Sequence, residues 1–302
     1  MGKTSNHHQG ISKARHPGSR AASVLAALVA TAMASTAASA VSLDEIKERG
    51  YIRVAVANEI PYGYVDPNGE PKGAGPDVAI QVIKALGIEA ENIQWVVTSF
   101  SSLIPGLQAN RFDMTAAEMA IRPERCQNVI YSEPNTSYGE GLLVATGDPK
   151  DLNAYSDFAQ PGVKIAVMAG ADQLQMLQAL GVPEENIVTI AANADAISTV
   201  STGRADAYAA TGLTASELAR MSDKVELTAD FEDPIVDGKA VRSWGGYNFN
   251  SESTDLRDAF NAELVKFKQT DAWREILAGY GFTPSDIDGS FAVTTADLCK
   301  AE

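Results

Sequence analysis

Between Ser42 and Ala210, short apolar runs alternate with amphipathic stretches of helical period, and the alternation starts over once. Tyr51-Ile-Arg-Val-Ala-Val-Ala57 reads as a strand buried in a mixed or parallel sheet, and Ile93-Gln-Trp-Val-Val97 and Asp113-Met-Thr-Ala-Ala117 read as further strands. Ser42 caps a short helix that Gly50 stops, and Asp66-Pro-Asn-Gly69 makes a hairpin turn. Pro76-Asp77 opens a helix through Leu86, and Ser101 or Ser102 caps the next, Leu103 to Ala109. After a strand over Glu140 to Thr146 a second unit of similar plan follows, with strands Lys164 to Met168, Ile187 to Ile190 and Ala205 to Ala210. Its helices run over Gln173 to Leu180 and Asp195 to Thr202. A β stretch from Val241 and helices over Ser253 to Thr270 and Asp271 to Tyr280 are too few for a third domain, so they return to complete the first. The expectation is an α/β chain of two lobes, each a mixed sheet flanked by helices. Residues 41–141 and 242–302 form the first lobe, 142–241 the second, and the two strands of the hinge cross near Leu142 and Gly246.

The first forty residues stand apart from both lobes. Lys3, Lys13, Arg15 and Arg20 precede an Ala-rich apolar run from Ala21 to Met33, and Ala38-Ser39-Ala40 fits signal-peptidase cleavage after Ala40. The run is short for a membrane span, so an exported, periplasmic protein is expected. Without those residues 20 basic side chains face 39 acids, a formal charge of −19, which argues against nucleic acid or anionic membrane as partners. Two cysteines, Cys126 and Cys299, form either a disulfide in an oxidising compartment or two buried thiols. With no clustered His they make no metal-ligand set, and neither metal nor cofactor is expected.

The candidate chemistry sits at strand ends, where α/β sheets bind ligands. Met114-Thr-Ala-Ala-Glu-Met-Ala-Ile-Arg-Pro-Glu-Arg-Cys126 reads as a strand that Pro123 stops, ending on Arg125. A guanidinium there can accept a small carboxylate through two parallel hydrogen bonds; the competing reading of this residue alone is a surface pair with Glu124 or Glu133. The loop Asn58 to Tyr64 adds one acid, Glu59, and the aromatics Tyr62 and Tyr64.

Gly-x-x-x-Asp77, Ile104-Pro-Gly-Leu-Gln-Ala-Asn-Arg111, Arg122-Pro-Glu-Arg-Cys126, Tyr131-Ser-Glu-Pro134, Tyr280-Gly-Phe282 and the closing Leu298-Cys299 together resemble the type II periplasmic solute-binding proteins of ABC importers. Within their polar-amino-acid branch the chain is most similar to the ectoine and hydroxyectoine receptors. The resemblance covers nearly all of residues 41–302 and implies a monomeric, two-lobed clamp that closes on a small zwitterion and presents it to a permease. Ectoine pairs a carboxylate with a delocalised amidinium on a small ring. Arg125 would take the carboxylate, Glu59 the amidinium, and Tyr62 and Phe100 the ring faces. Backbone N–H groups at Gly170 and Ala171 would add anion donors in the second lobe. Receptors for ordinary amino acids in this branch place an acid where this chain has Thr211, so its absence argues against a simple α-amino acid. Two positions depart from the ectoine pattern. Ala120 stands where a third cage aromatic is usual, leaving room that Met119, Phe112 or Trp244 could fill, and Asp172 stands where a hydroxyl is usual.

Two other readings compete. One is a receptor for a polar or cyclic amino acid. The other is an enzyme on the same scaffold, such as a cyclohexadienyl dehydratase. All three histidines, His7, His8 and His16, fall within the leader, which leaves Glu59, Glu118 or Asp172 as the available acids and bases and favours binding without catalysis.

Overall fold

The computed structural model describes residues 41–300; the expected signal segment and cleavage position and the three histidines lie outside the described residues. Two mixed sheets organise the chain. The first has the order Ile93–Val97, Ile52–Val56, Met114–Ala120, Ser243–Asn250, Val129–Tyr131, with Thr136–Tyr138 also paired to Ser243–Asn250. Its first three strands are parallel, and Ser243–Asn250 runs antiparallel to its neighbours. The second has the order Ile187–Ile190, Ile165–Met168, Ala207–Thr211, Glu140–Ala145, Val225–Leu227, parallel up to Ala207–Thr211 and antiparallel beyond it.

Local chemistry sets the ends of these elements. Ser42 caps the Leu43–Arg49 helix in a reciprocal capping box with Glu45, and Gly50 closes it in the left-handed conformation. The turn at Asp66 is tied by its carboxylate, which accepts from the backbone N–H groups of Asn68 and Glu70. Neither Ser101 nor Ser102 caps the next helix as expected. A short 3-10 turn over Phe100–Ser102 leads into the Leu103–Gln108 helix, and the Ser102 side chain bonds Ser99 instead. Helices Ala74–Ala85, Thr254–Phe267 and Asp271–Gly279 pack one face of the first sheet around Ile83, Phe260, Leu264 and Trp273, while a second core runs from Leu103, Leu107 and Met119 into the second sheet.

The chain leaves the first sheet between Tyr138 and Glu140 and re-enters it at Ser243. Leu142 and Gly246, near which the crossing was expected, therefore each lie within a strand of one sheet, Leu142 in regular pairing and Gly246 beside a shift of register. The described chain also holds helices over Gln173–Ala179, Ala194–Ser201 and Gly212–Met221, the hairpins Tyr64–Val65 with Pro71–Lys72 and Ile235–Val236 with Lys239–Ala240, and short helices Pro284–Gly289 and Thr295–Leu298.

Candidate ligand cavity

Loops at the ends of both sheets converge on a small, largely closed cavity of about 20 Å³. From the first sheet come Glu59, Tyr62, Phe100, Glu118, Ala120 and Tyr138. From the second come Met168, Ala171, Asp172, Gln173, Tyr208, Ala210 and Thr211. Every one of these residues is buried.

The loop carrying Glu59 and Tyr62 lies flat against the Met114–Ala120 strand, and Gly63 makes that possible. A Cβ there would come within 2.3 Å of the Ala116 carbonyl oxygen. Tyr62 packs edge-on against Tyr138 and Phe282, with ring centroids 5.1 and 5.8 Å away, so the Tyr280-Gly-Phe282 segment buttresses the cavity wall. The buried Tyr62 hydroxyl has no partner in hydrogen-bonding geometry, although Thr211 stands beside it. Thr211 caps the Gly212–Met221 helix, accepting from the Thr214 N–H. The Thr214 hydroxyl reaches back across the two sheets, 3.1 Å from both the Glu59 carboxylate and the Ile60 carbonyl.

Arg125 stands one step back from the cavity wall. It is not the last residue of a strand, as expected. The strand ends at Ala120, and Pro123 opens a four-residue helix, Pro123–Cys126, that carries Arg125, since proline suits a first helical turn. Its Nη1 donates to the Ala120 carbonyl at 3.0 Å and its Nη2 to the Gly170 carbonyl at 2.9 Å, so one guanidinium spans both sheets. Its carbon lies 5.7 Å from the centre of the Phe100 ring. Gly170 thus meets Arg125 through its carbonyl and does not itself line the cavity. Ala171 does, but its N–H is spent on the Met168 carbonyl within the turn and is no anion donor.

Acids dominate the electrostatics. Burial pushes the Glu59 carboxyl up to about 7, with Thr214 and Asn193 pulling it partly back. Burial also sets Glu118 at about 7, against bonds from Thr136 and Asn135 and the nearby Lys268 charge. Glu140, behind the wall, rises to about 8 through burial and the adjacent Asp172; Gln173 donates to it at 2.6 Å. Asp172 has Ser243 Oγ at 3.4 Å and Arg122 Nη1 at 3.9 Å, so the carboxylate that seemed out of place has a cation behind it.

The room beside Ala120 is filled by none of the expected residues. Trp244 points away and donates to the Gly289 carbonyl, Met119 and Phe112 belong to the core, and the additional rings in the cavity are Tyr138 and Tyr208. Sequence reasoning missed these tyrosines along with Met168, Gln173, Ala210 and Thr214, and named Glu118 only as a possible acid. Glu118 did carry a signal, being the single acid in an apolar strand. Cys126 and Cys299 form a disulfide that ties the C-terminal segment beside Arg125.

Comparison with known proteins places these features in a family. The pattern of the bacterial extracellular solute-binding proteins, family 3, matches residues 52–283. The chain is 62% identical to the probable amino-acid ABC transporter periplasmic-binding protein y4tE of Sinorhizobium fredii over 94% of each chain. Among solved structures it is similar to EhuB in complex with hydroxyectoine, with a TM-score of 0.77 and 32% identity over 86% of this chain and 98% of that one. It is also similar to an ancestral amino-acid-binding protein described as a precursor of cyclohexadienyl dehydratase, with a TM-score of 0.69 and 27% identity over 79% of this chain and 98% of that one.

Proposed function

The chain belongs to the bacterial extracellular solute-binding proteins, family 3, and from that premise we propose that it is the receptor of an ABC importer for a small zwitterionic compatible solute, ectoine or hydroxyectoine. The observation that carries this reading is that the cavity takes its walls from both sheets and offers aromatic rings, acids and an adjoining guanidinium. On this reading residues 41–141 with 242–302, and residues 142–241, are the two halves of a clamp. Its hinge lies at Gly139 and near Val241, residues 1–40 export the protein, and the closed monomer is what the permease recognises. The ligand carboxylate would displace one of the carbonyls on Arg125, and its amidinium would meet Glu59 between Tyr62 and Phe100.

Calorimetric titration with ectoine, hydroxyectoine and a panel of amino acids tests this reading. One-to-one binding of an ectoine at micromolar or tighter affinity is expected. Silence toward both, with a response to a polar or cyclic amino acid, would keep the receptor and replace the ligand.

A second reading has one observation in its favour. Glu59 and Glu118 are cavity carboxyls brought to about 7, a range suited to acid–base chemistry, and a structural relative is described as a precursor of cyclohexadienyl dehydratase. Incubation with prephenate or arogenate distinguishes the two; no product is expected, and turnover would establish an enzyme.

A further inference from the structure

Glu118 occupies a conformation that its strand does not require. It lies within Met114–Ala120 at φ +47°, in the left-handed region that residues with a side chain rarely adopt. Pairing with Ser243–Asn250 shifts register between Gly246 and Asn248, next to this point. Gly245 makes room opposite, since a Cβ there would come 2.7 Å from the Glu118 carbonyl oxygen and 2.9 Å from its carboxylate.

The carboxylate is held firmly. Asn135 donates to Oε1 at 2.8 Å and Thr136 to Oε2 at 2.7 Å; Asn135 is itself fixed by the indole N–H of Trp273. Lys268 lies close enough to favour the charged form, but its ammonium donates to the Pro134 and Ser290 carbonyls. A carboxylate has about four acceptor positions. These donors in bonding geometry use two, and Glu118 lines the cavity with acceptor capacity left over.

Acids outnumber cations around the rest of the cavity. Glu59 and Asp172 line it too, while the one adjoining guanidinium, Arg125, stands behind the wall with a bond from each terminal nitrogen to a carbonyl. A ligand must therefore bring hydrogen-bond donors on more than one side. A tie between strands alone would need neither a backbone outlier nor a third buried acid.

We infer that Glu118 is a specificity-determining ligand contact, which together with Glu59 and Asp172 selects a carboxylated ligand whose cation presents N–H donors in diverging directions. Amidinium and guanidinium groups do this, whereas a quaternary ammonium has no N–H to offer. This inference rests on the receptor reading above and names the chemical class its site takes.

The test is calorimetric titration of the wild-type protein and Glu118→Gln with ectoine, arginine and glycine betaine, alongside ligand-free melting curves. Wild type is expected to bind an amidinium or guanidinium ligand at least a hundredfold more tightly than the betaine. Glu118→Gln is expected to lose at least tenfold in that binding while its ligand-free melting temperature moves by only a few degrees. Unchanged affinity in the variant would make Glu118 a purely structural tie, and betaine binding as tight as the amidinium would remove the donor requirement. Should Glu118→Gln fail to fold, Thr136→Val keeps the charge and loosens its hold. A severalfold loss of affinity supports the contact, and none overturns it. Wild-type protein that binds none of the three would overturn the receptor reading for these ligands, and this assignment with it.

Discussion

At Arg125 one guanidinium gives a nitrogen to Ala120 and another to Gly170, so the side chain that suits a ligand carboxylate also joins the two sheets. Arg125→Ala is therefore expected to weaken binding of any carboxylated ligand at least a hundredfold, since a buried charge-assisted pair lost on one side leaves the other unmatched. Calorimetry that shows unchanged affinity would remove Arg125 from the site. Glu59→Gln keeps the shape and the Thr214 contact but removes the charge. A loss of about tenfold or more toward an amidinium ligand is expected, with the fold intact by circular dichroism; equal binding would end the charge-pair argument. Arg125 and Glu59 were legible in the sequence because each stands in a short, recognisable segment after an apolar strand. Thr214 and Gln173 were not, because what defines them is a partner far along the chain, such as Thr214 reaching Glu59 across 155 positions.

At the scale of elements, the disulfide is the strongest local constraint outside the cores. It joins the short helix carrying Arg125 to the cap of the Thr295–Leu298 helix across 173 residues. Closing so long a loop restricts the unfolded chain, and a native disulfide typically contributes about 2–4 kcal/mol. Reduction is expected to lower the melting temperature by roughly 4–16 °C in a scan with and without reductant. Titration of two free thiols in exported, folded protein would show that the bridge does not form in solution. Most strands and helices matched their apolar periodicity to within a few residues, as Ile93–Val97 and Ile187–Ile190 show. The Gly212–Met221 helix escaped although its apolar period is present, since its cap, Thr211, was read only as a missing acid.

At the scale of the whole molecule, enclosure makes stability depend on pH. The cavity carboxyls Glu59 and Glu118 stand at about 7 and the adjoining Glu140 at about 8, against 4.5 for an unburied glutamate. Their folded values are raised, so the folded protein keeps protons that the unfolded chain has released. This contribution is whole below about pH 4.5 and is lost as pH rises through 7 to 8. Glu59 and Glu118 are each worth roughly 3 kcal/mol between those limits. Lys268, lowered to about 8, is charged in both states below about pH 7 and adds little slope there. Arg125, Asp172 and Lys268 are the other charges acting on these carboxyls. The ligand-free melting temperature is expected to fall by at least about 5 °C between pH 5 and pH 8, and a flat or rising profile would contradict buried, protonated carboxyls.

Alternating apolar and amphipathic segments were enough to determine two α/β units and the return of the C-terminal helices, because periodicity and capping are local properties of the chain. The arrangement of Arg122-Pro-Glu-Arg-Cys126 and the loop at Glu59 was enough to point to a site at the strand ends. Only the tertiary structure decided which groups face one another: that Arg125 spans two carbonyls, that Tyr138 and Tyr208 supply the additional rings, and that three acids line one cavity. The physical reason is that burial and partnership depend on segments distant in sequence. A carboxyl's charge, a hydroxyl's missing partner and a guanidinium's engagement are set where those segments meet.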